Sequence, residues 1–196
     1  MYKMIPSLEL NRVVDQNKKI HPHKFILWVG IGSIIMMFAG LTSAYIVKRE
    51  QPGWTSYTTP IAFYYSSAVI MISSLVIFLA GKSFRERRMI RYQKLVAATA
   101  ILGLVFILLQ WLGFRHLWLS GTTFHGSGAG QFFYIIAGLH ALHVFGGIIA
   151  LFTLWLRARN TRIRSYNAVP VDVVSTYWHF VDLLWIYLFI FFLVVQ

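Results

Sequence analysis

The 196-residue sequence contains no cysteine, only six Asp and Glu, and 12% charged residues in all. Without thiols the chain forms no disulfide and offers no Cys-ligated iron–sulfur or zinc site, no attached c-type haem and no copper centre that needs thiolate. If the chain belongs to a redox system, that chemistry resides on other subunits. The sequence also lacks a carboxylate pair, a nucleophile–base pair and a phosphate-binding loop, so no catalytic residue is assigned. Internal repeats, heptad arrays and the ten-residue alternation of a membrane β-barrel are missing as well. What is there is apolar: 58% of residues are hydrophobic and 17% aromatic. Soluble domains carry about 25% charged residues, and a chain of this length cannot hide so large an apolar excess in one aqueous core. The membrane is the natural solvent.

Five charge-poor runs follow one another. Residues 25–47 contain no Asp, Glu, Lys or Arg, and Gln51 to Gly81 forms a second such run, with Pro60 placed to open its helix. The third covers 95–114. His116 to Leu156 makes the fourth, in which Ser120, Gly121, Gly126, Ser127, Gly128 and Gly130 predict a loop before a helix starting near Gln131. The fifth runs from 173 to about 194, interrupted only by His179 and Asp182. Each run is long enough, at about 1.5 Å per residue, for a hydrocarbon core of about 30 Å. Lipid-exposed backbone must satisfy its own hydrogen bonds, so the expected fold is all-α, with spans near 25–47, 60–81, 95–114, 131–156 and 173–194. Residues 1–24 read as a basic tail without a small-residue cleavage site, and 25–196 as one five-helix membrane domain.

Lys and Arg total 18 against the six acids, a formal charge of +12. Fifteen of the 18 fall on the N-terminal tail and the second and fourth connections, and three on the other side. The positive-inside rule then predicts a cytoplasmic N-terminus and a periplasmic C-terminus. It also argues against nucleic-acid binding, because short basic juxtamembrane segments suit anionic lipid head groups.

Polar residues inside the spans carry the most information, since an ionised side chain at mid-bilayer costs about 2.5–3.5 kcal/mol on the insertion scale. His140 and His143 lie three apart on one face of the fourth helix, and His179 and Asp182 repeat that spacing on the fifth. Matching depth predicts that Asp182 bonds His179, or His140 or His143 across an antiparallel interface. The alternative makes the histidines ligands of haem or zinc. Residues three apart cannot fill opposite axial positions of one haem, and no further ligand is evident, so no metal is assigned. Gln110 and Ser73-Ser74 are candidates for bonds across helices. His125 reads as a loop residue, and His21, His23 and His116 as interfacial. Gly30, Gly32, Ala39, Gly40 and Ala44, with Gly138, Ala141, Gly146, Gly147 and Ala150, suggest close helix approach. Trp28, Tyr45, Trp54, Trp118, Trp155 and Tyr177 read as interfacial anchors.

The last two helices resemble subunit III of the haem-copper respiratory oxidases. The family pattern Phe-Tyr, then Gly-x-His-x-x-His-Val and a further Gly, is similar to Phe133-Tyr134, Gly138-Leu-His140-Ala-Leu-His143-Val144 and Gly146. Its Tyr-Trp-His-Phe-Val-Asp followed by Trp is matched by Tyr177 to Asp182 and Trp185. Weaker collinear likenesses lie at Met36 to Leu41 with Ala44-Tyr45, at Ser73-Ser74, and from Gly103 to Gln110, so that the resemblance covers roughly residues 25 to 196. The chain looks like the shorter bacterial form, without the first two of seven spans. Two family carboxylates are absent, with Ile34 and Gly113 in their places, so a carboxylate-dependent part in proton uptake does not carry over at those positions.

The resemblance implies a subunit that binds no haem or copper itself. It implies docking on subunit I, which carries the haem–copper centre, beside subunit II, in the bacterial inner membrane. A role in stabilising that subunit, cradling phospholipid and supporting proton uptake follows, within an oxidase that reduces oxygen and pumps protons. Membership of a larger respiratory supercomplex is compatible with it. A five-span subunit III of a cytochrome o-type quinol oxidase is the alternative, and a relative beside nitric oxide reductase a third branch. A membrane cytochrome b or a transporter would be a different class; neither inverted repeats nor broken helices are apparent.

Overall fold

The computed structural model describes residues 22–50, 59–121, 128–159 and 168–195. Residues 1–21 of the basic N-terminal tail, His21 among them, the side chain of His23, Trp54 and His125 lie outside the described residues. Five helices follow in order: α1 (Pro22–Arg49), α2 (Ile61–Arg85), α3 (Met89–Leu119), α4 (Gly128–Arg159) and α5 (Val169–Val195). All five are long and apolar enough to cross a membrane, and no strand occurs among the described residues.

The helices extend past the charge-free runs that predict them. The α3 helix, 31 residues long, begins at Met89 instead of 95 and ends at Leu119 instead of 114. Basic side chains reach back to water from helix ends, so backbone pairing continues beyond the hydrocarbon. The α4 helix starts at Gly128, three residues before Gln131. Gly128 and Gly130 are therefore helical and not part of the expected loop. At the α2–α3 turn Arg87 takes a left-handed φ of 58°. The Arg88 N–H bonds Ser83 O and the Arg87 N–H bonds Phe84 O, the pairing of a Schellman stop.

Contacts give the arrangement. α5 packs on α1, α2 and α4; α3 lies on α2 and α4, and the α2–α3 pair is the most extensive. Trp185 meets Ser67 near the start of α2, and Asp172 meets Arg85 at its end, so α2 and α5 are antiparallel. Lys24 reaches Asp172 and Thr42 reaches Tyr187, so α1 and α5 are parallel. Among the described residues α1 does not pack on α2, which leaves a gap between them over α5. The core runs down the middle through Phe38, Tyr45, Phe63, Phe106, Trp178, Trp185 and Phe192.

Candidate functional site

The most developed polar feature is the seam between α2 and α5. Ser66-Ser67 and Ser73-Ser74 recur after seven residues, about two helical turns, and so share a face. The Trp185 indole N–H donates to Ser67 Oγ at 2.9 Å, and the Trp178 N–H to Ser73 Oγ at 3.1 Å. Ser74 Oγ and His179 Nδ1 are 2.6 Å apart. Ser66 ties α2 to α3 by accepting 3.0 Å from Gln110 Nε2, while Ser66 and Ser67 donate to Phe63 O. A buried indole needs a partner for its N–H. The small hydroxyls supply one while keeping the helices close.

Trp178 also fixes the spacing of three helices. Its ring lies between Gly103 on α3 and Gly147 on α4: a methyl group at Gly103 would fall 2.7 Å from the indole edge, and one at Gly147 3.0 Å from it. Gly30, Gly32, Gly40, Gly138 and Gly146 have no neighbour within 4 Å of where a Cβ would sit. The close-approach reading therefore holds for Gly147, and Gly103, which that reading did not include, makes the same approach, whereas those five have open space where a Cβ would sit. Among the described residues nothing packs against them at that position.

The histidines and Asp182 do not form the expected cluster. His140 is buried, enclosed by Phe38, Phe106 and Trp185, and neither ring nitrogen has a hydrogen-bond partner. Across the interface from it stands the Trp185 indole, with ring centroids 5.1 Å apart, in place of a carboxylate. His143 turns to its own helix, with Nδ1 2.7 Å from Leu139 O, and its backbone carbonyl accepts from the Tyr177 hydroxyl at 3.1 Å. His179 faces Ser74 instead of Asp182. The Asp182 side chain is buried and bonds none of the three histidines. Ser74 is the polar group within its reach, though no bond of full geometry forms. The expectation failed because helical spacing fixes a face and not the partner, and the bulky Trp178 and Trp185 set the rotation of α5. Among the described residues no three His, Asp or Glu side chains gather closely enough to hold a metal ion.

Several other placements differ from the sequence reading. Tyr45 is fully buried among Phe132, Phe191 and Phe192, so it is a core residue and not an interfacial anchor. Tyr177 is an interhelical donor. Trp28 and Trp118 are exposed near helix ends, as anchors are. Gly113, in the place of a family carboxylate, is packed against Phe63, whose ring would lie 2.9 Å from an added Cβ. Ile34 packs against the apolar core. Sequence reasoning missed Ser66 and Ser67, although their seven-residue repeat with Ser73-Ser74 was visible. It also missed the ion pairs of Asp172 with Lys24 and Arg85.

Five spanning-length helices joined by hydroxyl–indole and amide–hydroxyl bonds, with aromatic rings filling the interior, define a multi-pass membrane protein organised around helix packing. Residues 53–195 match the family described as Cytochrome c oxidase subunit III. A "Probable cytochrome c oxidase subunit 3" from Mycobacterium leprae is 34% identical over 169 residues, covering 84% of this chain and 82% of the relative. "Cytochrome c oxidase subunit 3" from Corynebacterium diphtheriae is 33% identical over 83% and 85%, and that from Bacillus subtilis 27% identical over 85% and 84%. The chain belongs to the cytochrome c oxidase subunit III family.

Proposed function

We propose that this chain is the five-span subunit III of an oxygen-reducing, proton-pumping cytochrome c oxidase in a bacterial inner membrane, oriented with its N-terminus in the cytoplasm. It holds no redox centre and docks on subunit I, beside subunit II, whose haem and copper do the chemistry. Its contribution is to stabilise subunit I, to bind phospholipid and to support proton uptake.

The observation that carries this reading is the use made of the family motif. In Tyr177 to Trp185 the polar atoms of Tyr177, Trp178, His179 and Trp185 reach α2 or α4. A motif spent on tying helices together suits a scaffold. Large apolar side chains such as Met36, Leu142, Phe145 and Leu183 face outward, where lipid or another subunit covers them. Gentle solubilisation of native membranes through a tag on this chain, followed by mass spectrometry, tests the assignment. Recovery of a haem–copper subunit and a partner with a two-Cys binuclear copper motif is expected. A haem–copper subunit whose partner lacks those copper ligands would indicate the quinol branch, and recovery of no haem–copper subunit would overturn the reading.

A further inference from the structure

We propose that the hairpin joining α2 to α3 is a docking site for an acidic, partly apolar segment of a partner protein on the aqueous side of the basic end of the bundle. The proposal goes beyond the function above and does not depend on it.

From Lys82 to Lys94 the chain carries six Lys and Arg and one acid, Glu86. Asp172 faces Arg85, and Glu86 Oε2 lies 3.5 Å from Arg88 Nε, whereas no carboxylate among the described residues pairs with Arg91 or Lys94. Arg91 sits in the first turn of α3, which holds no acid, and Lys94 in the second. A helix start favours anions, and cations three apart on one face repel, so neither placement is favourable within the chain. An acidic partner relieves both. The same surface has an apolar centre. Ile90 is 74% exposed and shares a face of α3 with Arg91 and Lys94. A shallow groove of about 650 Å³ there is lined by Arg87, Arg88, Met89, Ile90, Arg91 and Lys94.

Height separates a protein from the bilayer as the occupant. The charge-free run of α3 begins at Leu95. At about 1.5 Å per residue Lys94 stands at the hydrocarbon edge, Arg91 about 6 Å beyond it and Arg88 about 10 Å beyond, while the head-group layer is only about 5–8 Å deep. Lys94 thus lies level with the phosphates, and the tip of the hairpin projects into water. Ile90, about 7 Å past the edge, is out of reach of acyl chains, so lipid leaves it uncovered. Orientation in the membrane asks for basic charge in this connection but not for its arrangement round an isoleucine. A polypeptide meets both features. Its Asp or Glu side chains pair with Arg91 and Lys94, and an apolar side chain between them covers Ile90.

Fluorescence anisotropy of labelled peptides on the full-length chain in phosphatidylcholine nanodiscs provides the test. The probes are repeats of Glu-Glu-Leu and of Glu-Glu-Ser, each roughly a dozen residues long. The wild type is expected to bind the Leu peptide about fivefold more tightly than the Ser peptide, the gain from partly burying one aliphatic contact. Ile90→Ser should abolish that preference. Arg91→Gln with Lys94→Gln should weaken the Leu peptide about tenfold, as loss of two exposed ion pairs allows. Lys48→Gln with Arg49→Gln removes the same charge from the opposite end of the bundle and should leave binding within about twofold. Equal losses in the two double variants would reduce the attraction to net charge and overturn the site, as would a wild type that binds neither peptide or binds both alike. Loss of binding when about a tenth of the lipid is exchanged for phosphatidylglycerol would make the bilayer the occupant and overturn it too.

Discussion

Trp178 illustrates how much a single side chain determines in this interior. Its N–H is bonded on α2 while its ring touches the backbone of α3 and α4, so one rotamer sets distances in three directions. Gly103→Ala is therefore expected to destabilise the bundle by about 1–3 kcal/mol, as overpacking does. Gly146→Ala, with open space at the same atom, should stay within about 0.5 kcal/mol. Melting of the two variants in detergent measures the contrast, and equal effects would refute the wedge. Gly113→Glu, which restores a family carboxylate in sequence, should lower the melting temperature because Phe63 occupies the space. Adding Phe63→Ala should recover part of the loss. These relations were only partly legible in the sequence. The serine repeat, the apolar runs and the polar positions can be read from spacing, but the packing of Trp178 against two glycines depends on three helices meeting. The predicted partnership of Asp182 failed for the same reason: shared depth does not reveal that an indole stands in the way.

At the scale of elements, the seam between α2 and α5 is a series of single hydrogen bonds, and membrane interhelical bonds average about 0.6 kcal/mol. Ser67→Ala and Ser73→Ala should each cost about 0.5–1.5 kcal/mol in thermal melting, through the indole N–H left without a partner. An unchanged melting curve for both would show that the indoles are held by shape alone. The turn between α2 and α3 gives a prediction of opposite sign. Arg87 occupies a left-handed conformation that costs a non-glycine residue about 1–2 kcal/mol. Arg87→Gly should therefore raise stability by up to about 1 kcal/mol, as removal of left-handed strain outweighs the greater freedom of the unfolded chain. The existence and order of the helices were clear from the charge-free runs. Their ends were not, because charge marks the edge of hydrocarbon while hydrogen bonding and the Schellman turn mark the edge of the helix.

For the whole molecule, the deficits in the sequence and the packing agree. A chain without cysteine and with almost no acid in its spans has a polar interior devoted mainly to joining helices, while α1 is the least covered of the five. Family membership was legible in Tyr177 to Trp185, since that run combines the packing indoles with the polar residues at their fixed spacings. The meeting of Lys24, Arg85 and Asp172 was not legible: they are far apart in sequence and come together only because α1 and α5 run parallel with α2 reversed. The central claim is that this chain supports a haem-bearing partner without carrying haem itself. Its most direct test is to purify the complex through this chain, strip the chain off with detergent, and record reduced-minus-oxidised spectra of both fractions. The account predicts haem bands in the partner fraction and none in the stripped chain; haem bands that follow the stripped chain, or a purified complex with no haem at all, would contradict it.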